Sequence, residues 1–170
     1  MTQLQIQTAR LRLLPFTKGE VQLFHTLNVD PHIRKFLWDG EIITMEQATE
    51  ILETNERLFR NKGFGLWKVE DKDTQHLIGY TGLWYFFEEP QPQLIYAILK
   101  PYTGKGLATE AARAIQDYAF QHLGFDYLIA ATDEAHIASQ RVALRLGMNF
   151  VEQRIEDGKA TLFFRSTKSF

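Results

Sequence analysis

The sequence has no cysteine. A disulfide framework, a thiolate metal site and a cysteine nucleophile are therefore excluded. No apolar run approaches the roughly 20 residues of a membrane-spanning helix. The start, Met1–Thr2–Gln3–Leu4–Gln5, lacks the basic-then-apolar order of a signal peptide. A cytoplasmic protein that does not engage a membrane is expected. A basic excess is also missing: 19 Lys and Arg against 21 Asp and Glu give a formal net charge of -2, which argues against a nucleic-acid partner. The 5 histidines are scattered without ligand spacing, so no metal site is expected.

What is present is 170 residues, 45% hydrophobic and 13% aromatic, enough for a single globular domain over residues 1–170 with its own core. Leu4–Gln7 and Leu11–Leu14 read as a first strand, interrupted and halted by Pro15. Helical stripes follow over 18–28 and, after the Asp30–Pro31 start signal, to about Phe36. Thr44 with Gln47 is a capping box for a helix over 45–61, closed by Gly63. Strand patterns then occupy 64–70, 77–87 and 93–99, with Pro90 and Pro92 in the loop before the last. A helix to about Leu123 comes next, then a strand at 127–131, a helix carrying Ala138, Val142 and Leu146, and a final hairpin over 148–165. This order predicts a mixed sheet with helices on both faces.

The chemistry sits between the third of those strands and the helix after it. Leu94–Ile95–Tyr96–Ala97–Ile98–Leu99 runs into Tyr102–Thr103–Gly104–Lys105–Gly106–Leu107–Ala108–Thr109–Glu110. Strand, glycine loop and helix form an anion site: two glycines let backbone approach a phosphate, and the first-turn N–H groups have no partner inside the helix. The nucleoside-triphosphate loop does not fit, because Gly106 lacks the required partners at that spacing. The dinucleotide loop fails at its third glycine, where Thr109 stands, and this loop follows a meander instead of a first parallel strand.

The loop through Ala111 resembles the acyl-CoA pyrophosphate loop of the GNAT acetyltransferase superfamily, closest to its RimJ/RimL type. Thr8–Ala9–Arg10–Leu11–Arg12–Leu13 is similar to that group's opening strand, and Leu77–Ile78–Gly79–Tyr80–Thr81–Gly82–Leu83 to its third. His136–Ile137–Ala138–Ser139–Gln140–Arg141–Val142 with Leu146–Gly147–Met148 resembles its Asn-x-x-Ser helix and ending. The resemblance implies the α/β (α+β mixed) GNAT fold. That fold has a central mixed, mostly antiparallel six- to seven-stranded sheet, helices on both faces and a V-shaped split between strands 4 and 5. It also implies acetyl transfer from acetyl-CoA, without a metal, to a primary amine by direct attack in a ternary complex. The acceptor stays open between a protein N-terminus and a small-molecule amine, and the oligomeric state between monomer and homodimer. A non-catalytic acyl-CoA-binding module of the same fold is the alternative.

By the same resemblance Ile98 and Leu99 pair with pantetheine, with an N–H near Leu99 polarising the thioester carbonyl. Thr103, Gly104, Lys105, Gly106, Leu107, Ala108 and Thr109 hold the pyrophosphate, and Arg141 reaches a CoA phosphate. Ser139 serves the departing thiolate, since the tyrosine position used by many family members is Ala143 here. His136 stands where the family has asparagine. It is a cofactor contact or a catalytic histidine, and equally a helix-start residue facing solvent. Gln93 departs from a glutamate sometimes proposed as base and cannot take a proton. His32, Trp38, Trp84 and Gln93 are the candidates for the acceptor side.

Overall fold

A computed structural model describes residues 4–169, without the Glu156 side chain. Met1–Thr2–Gln3 of the signal-peptide argument, and Phe170, lie outside these residues. The opening strand is broken, as expected, into β1 (Ile6–Gln7) and β2 (Leu11–Pro15). A 3-10 turn, Lys18–Glu20, precedes α1 (Val21–Val29). The Asp30 carboxylate accepts from the N–H groups of His32 at 2.9 Å and Ile33 at 3.2 Å, starting α2 (Pro31–Leu37). Thr44 and Gln47 form the reciprocal capping box of α3 (Met45–Lys62).

Three strands follow: β3 (Leu66–Asp71), β4 (Leu77–Trp84) and β5 (Gln93–Ile98). The apolar run over 77–87 does not stay extended to its end. Phe87 and Glu88 both take φ of 55°, so the strand stops at Trp84 and the chain turns. Then come α4 (Leu107–Gln121), β6 (Tyr127–Asp133), α5 (Ile137–Arg145), β7 (Asn149–Glu156) and β8 (Lys159–Thr167).

The strands form two hydrogen-bonded sheets, ordered β1-β2-β3-β4-β5 and β6-β8-β7, with every pair antiparallel. Among the described residues there are eight strands where six or seven were expected, because the first is broken in two. β5 and β6 touch but share no ladder. That is the expected split, and the Gln91 amide closes one end of it by donating to the Tyr127 carbonyl at 2.5 Å.

Each face of the larger sheet has its own core. Ile78, Leu83 and Leu94 meet Ala111, Ala112 and Ile115 of α4 and Val142 and Ala143 of α5. Tyr80 and Ile95 meet Phe24 and Leu27 of α1, Ile33 of α2 and Ala48 and Leu52 of α3. The alternation of strand side chains sends successive residues of β5 to opposite cores. Gly79 of β4 allows close approach to β5, since a Cβ there would lie 2.0 Å from the Ala97 carbonyl oxygen.

Candidate active site

The split opens a cleft of about 580 Å³. The ladder register dictates which backbone groups face it. Leu99 donates its N–H to the Ile78 carbonyl at 2.8 Å while its carbonyl accepts from Tyr102 at 3.0 Å, and in the same register Ala97 and Ile95 turn both polar groups toward β4. Ile98 and Tyr96 then turn theirs away from β4, toward the cleft. This corrects the expectation for Leu99: its N–H is committed inside the sheet and it does not line the cleft, whereas Ile98 does.

The glycine loop closes the cleft at the start of α4. Gly104 and Gly106 have φ of 76° and 78°, left-handed values that favour glycine. Gly106 is the residue from which α4 starts, accepting from Glu110 at 3.0 Å, so the N–H groups of Leu107, Ala108 and Thr109 lack helical partners. The Thr109 hydroxyl is buried without a partner. Thr103, Gly104, Gly106, Leu107, Ala108, Thr109 and Arg141 all line the cleft, and Lys105 does not. The Lys105 ammonium lies 5.9 Å from the Tyr102 ring centroid, and its carbonyl accepts from the Arg10 guanidinium at 2.9 Å. Arg10 also binds Glu110 at 2.7 Å, and Thr8 donates to the same carboxylate at 2.6 Å. Burial raises the Glu110 pKa, but these hydrogen bonds and the guanidinium charge outweigh it and hold the carboxyl below its ordinary value. The loop thus presents unpartnered N–H groups at the cleft while the Glu110 carboxylate is taken up by Arg10 and Thr8. A pyrophosphate fits that donor set.

Ser139 and His136 both line the cleft. Ser139 is buried, and its hydroxyl donates to the Tyr96 oxygen at 3.1 Å. His136 lies flat against Phe36 of α2, with centroids 3.9 Å apart and planes 8° from parallel. Burial, aided by the charges of His32 and Lys35 and opposed by Asp133, lowers its pKa. The imidazole is therefore neutral at neutral pH.

The acceptor candidates divide. His32 and Gln93 line the cleft. Gln93 is 1% exposed; its amide donates to the Phe86 carbonyl at 3.2 Å and its oxygen is buried without a partner. Trp38 and Trp84 do not line it. They border a separate small cavity, because the Trp38 indole is drawn inward to donate to the Asn28 side chain at 2.8 Å. Sequence reasoning missed Tyr96, Thr132 and Lys159, which line the cleft. Lys159 bridges Asp39 and Asp133 across its mouth. Strand alternation was a signal for Tyr96; nothing local marked Lys159. Among the described residues, no group of three or more His, Cys, Asp or Glu could hold a metal, and no helix is long and apolar enough to cross a membrane.

The geometry describes a cleft between an unpaired strand edge and a phosphate-binding helix start, and comparison with known proteins gives the family that carries it. Residues 10–149 match the acetyltransferase (GNAT) domain; the chain belongs to that family and is an acetyltransferase. It is 32% identical to YkkB of Bacillus subtilis (strain 168) over 151 residues, 88% of this chain and 86% of that one. Against YnaD of the same organism, an N-acetyltransferase by name, identity is 29% over 85% of this chain and 82% of that one. RimL, a ribosomal L7/L12 alpha-N-protein acetyltransferase solved in complex with coenzyme A, has the same fold: TM-score 0.80 at 14% identity, covering 96% of this chain and 97% of that one.

Proposed function

We propose that the chain acts as a single RimJ/RimL-type domain that moves an acetyl group from acetyl-CoA to a primary amine, by direct attack with both substrates bound. The observation that carries this reading is the unpaired edge of β5 running into the left-handed glycine loop at the start of α4. Acetyl-CoA supplies an activated thioester. The cleft-facing groups of Tyr96 and Ile98 pair with its pantetheine amides as an added strand would. The Ile98 N–H, in place of the Leu99 one, stabilises charge on the thioester oxygen. Loop N–H groups with Thr103 and Thr109 take the pyrophosphate, and Arg141 a further phosphate.

On the acceptor side, His32 and Gln93 receive the amine. Gln93 keeps its oxygen as a hydrogen-bond acceptor, because its NH₂ is used by Phe86, and that suits an amine N–H. His136, being neutral, can accept the ammonium proton directly or through water. Ser139 donates to the departing sulfur. A protein N-terminus is the acceptor class that the RimL likeness favours, with small-molecule amines as the other class.

A thiol-release assay with acetyl-CoA, N-terminal peptides and a panel of small amines tests the reading. Turnover with at least one acceptor class is expected. Saturable acetyl-CoA binding with no turnover across the panel would instead establish the non-catalytic module, which a glutamine at position 93 permits.

A further inference from the structure

Tyr96 stands in β5 with its backbone toward the cleft, and its phenol reaches α5 on the opposite wall. Its hydroxyl lies 2.9 Å from the Ser139 carbonyl oxygen and 3.1 Å from the Ser139 hydroxyl. A phenol has one proton and a carbonyl oxygen can only accept, so the Tyr96 proton goes to the carbonyl and the Ser139 proton goes to the Tyr96 oxygen. Burial pushes the phenol up to about 12, against the lowering effect of Ser139; it is a proton donor at neutral pH and never a base. A helix serine left to itself turns its hydroxyl back to the carbonyl one turn earlier, here that of Ala135. Tyr96 holds Ser139 out of that bond and keeps its oxygen at the cleft wall.

We infer that Tyr96 and Ser139 work as one hydroxyl pair on the departing thiolate, with Tyr96 the positioning residue that sets where the Ser139 proton points. The inference rests on the acetyl-transfer reading. As the thioester C–S bond breaks, the sulfur leaves with the bonding pair and accepts a hydrogen bond from the Ser139 O–H. Tyr96 turns its O–H from the Ser139 carbonyl to the Ser139 oxygen, so the Ser139 donor is strengthened while both hydroxyls keep their protons. The thiolate takes its proton from water as CoA departs. The attacking amine gives up one proton, to His136 or through water to solvent, for the one the sulfur gains.

The first test needs no turnover. The thiol of CoA bound to the full-length protein is titrated by its thiolate absorbance. In the wild type its pKa should fall below that of free CoA. It should rise by about one unit in Tyr96→Phe, and equally in Ser139→Ala and the double variant, while calorimetric CoA affinity stays within about threefold of wild type. Single-turnover acetyl transfer should fall roughly 10- to 100-fold in each single variant and no further in the double. A bound-thiol pKa that Tyr96→Phe leaves unchanged, or losses that multiply in the double variant, would overturn the pair. If Tyr96→Phe does not fold, fluorotyrosine at position 96 keeps the shape and makes the phenol more acidic. It should lower the bound-thiol pKa further, and no change would count against the proposal. A protein that shows the thiol shift but acetylates no amine would overturn the acetyl-transfer reading and leave the hydroxyl pair standing.

Discussion

At Gly106 the chain needs a left-handed residue more than it needs space. Its φ is 78°, and a Cβ would meet only the Arg10 guanidinium at 3.5 Å, an ordinary contact. Gly106→Val should therefore cost about 1–3 kcal/mol of backbone strain and also turn the loop N–H groups away from the pyrophosphate. Gly124 separates the two effects. It has φ of 73° with nothing near its Cβ, away from the cleft. Gly124→Ala should lose comparable stability in denaturant unfolding and leave acetyl-CoA affinity unchanged in calorimetry, while Gly106→Val loses tenfold or more. A second residue-scale prediction concerns His136. Its folded pKa is lowered, so the unfolded chain binds a proton first as pH falls. The stability that the neutral ring contributes is complete above the unfolded pKa of about 6.5. It is lost as pH falls from there to the folded pKa. His136→Asn removes this dependence, so the thermal midpoint of the wild type should drop more than the variant's between pH 7.5 and 5.5. The glycine loop was legible because all its parts are neighbours in sequence. The Phe36–His136 stack and the Tyr96–Ser139 pair join residues that only the fold brings together.

Among the elements, α3 shows how the acceptor-side helices are fixed to the sheet. Asn55, fully buried, accepts from the Leu66 N–H at 2.7 Å and donates to the Phe16 carbonyl at 3.1 Å. One side chain thus locks α3 to the start of β3 and the end of β2. Asn55→Ala leaves a buried N–H and a buried carbonyl unsatisfied, at roughly 1–3 kcal/mol each, so a loss of about 2–6 kcal/mol is expected. It should appear as a lower urea midpoint with an unchanged m-value. The periodicity of α3 was readable, because its capping box and closing Gly63 lie on either side of it, but a polar residue inside that stripe gave no hint of its partners. The early end of β4 was hidden for a related reason. Apolar pattern reports burial, and Phe86 packs against the core under α1, α2 and α3 after the backbone has left the sheet, while Phe87 stays exposed with its ring against Phe163.

Across the whole molecule, the two sheets meet at β5 and β6 without a ladder, so the protein carries an unpaired strand edge in its interior. Strand order along the sequence indicated a split, yet the facing of single backbone groups depends on register, which the sequence does not display. Register is what sent the Leu99 N–H to Ile78 and left the Ile98 N–H to the cleft. Amide hydrogen exchange can read this difference at two adjacent residues. In the free protein Leu99 should be protected by its bond to Ile78, and Ile98, outside the ladder, should exchange faster. With CoA added, the Ile98 amide should slow by at least about tenfold as it gains a partner from pantetheine, while Leu99 slows only by the general stabilisation ligand binding confers, about 2.7 kcal/mol at 100 times Kd. Equal protection of the two amides before CoA is added would mean that the edge of β5 is already paired. An Ile98 amide that ignores CoA would move the pantetheine off this strand, and the proposed reading of the cleft with it.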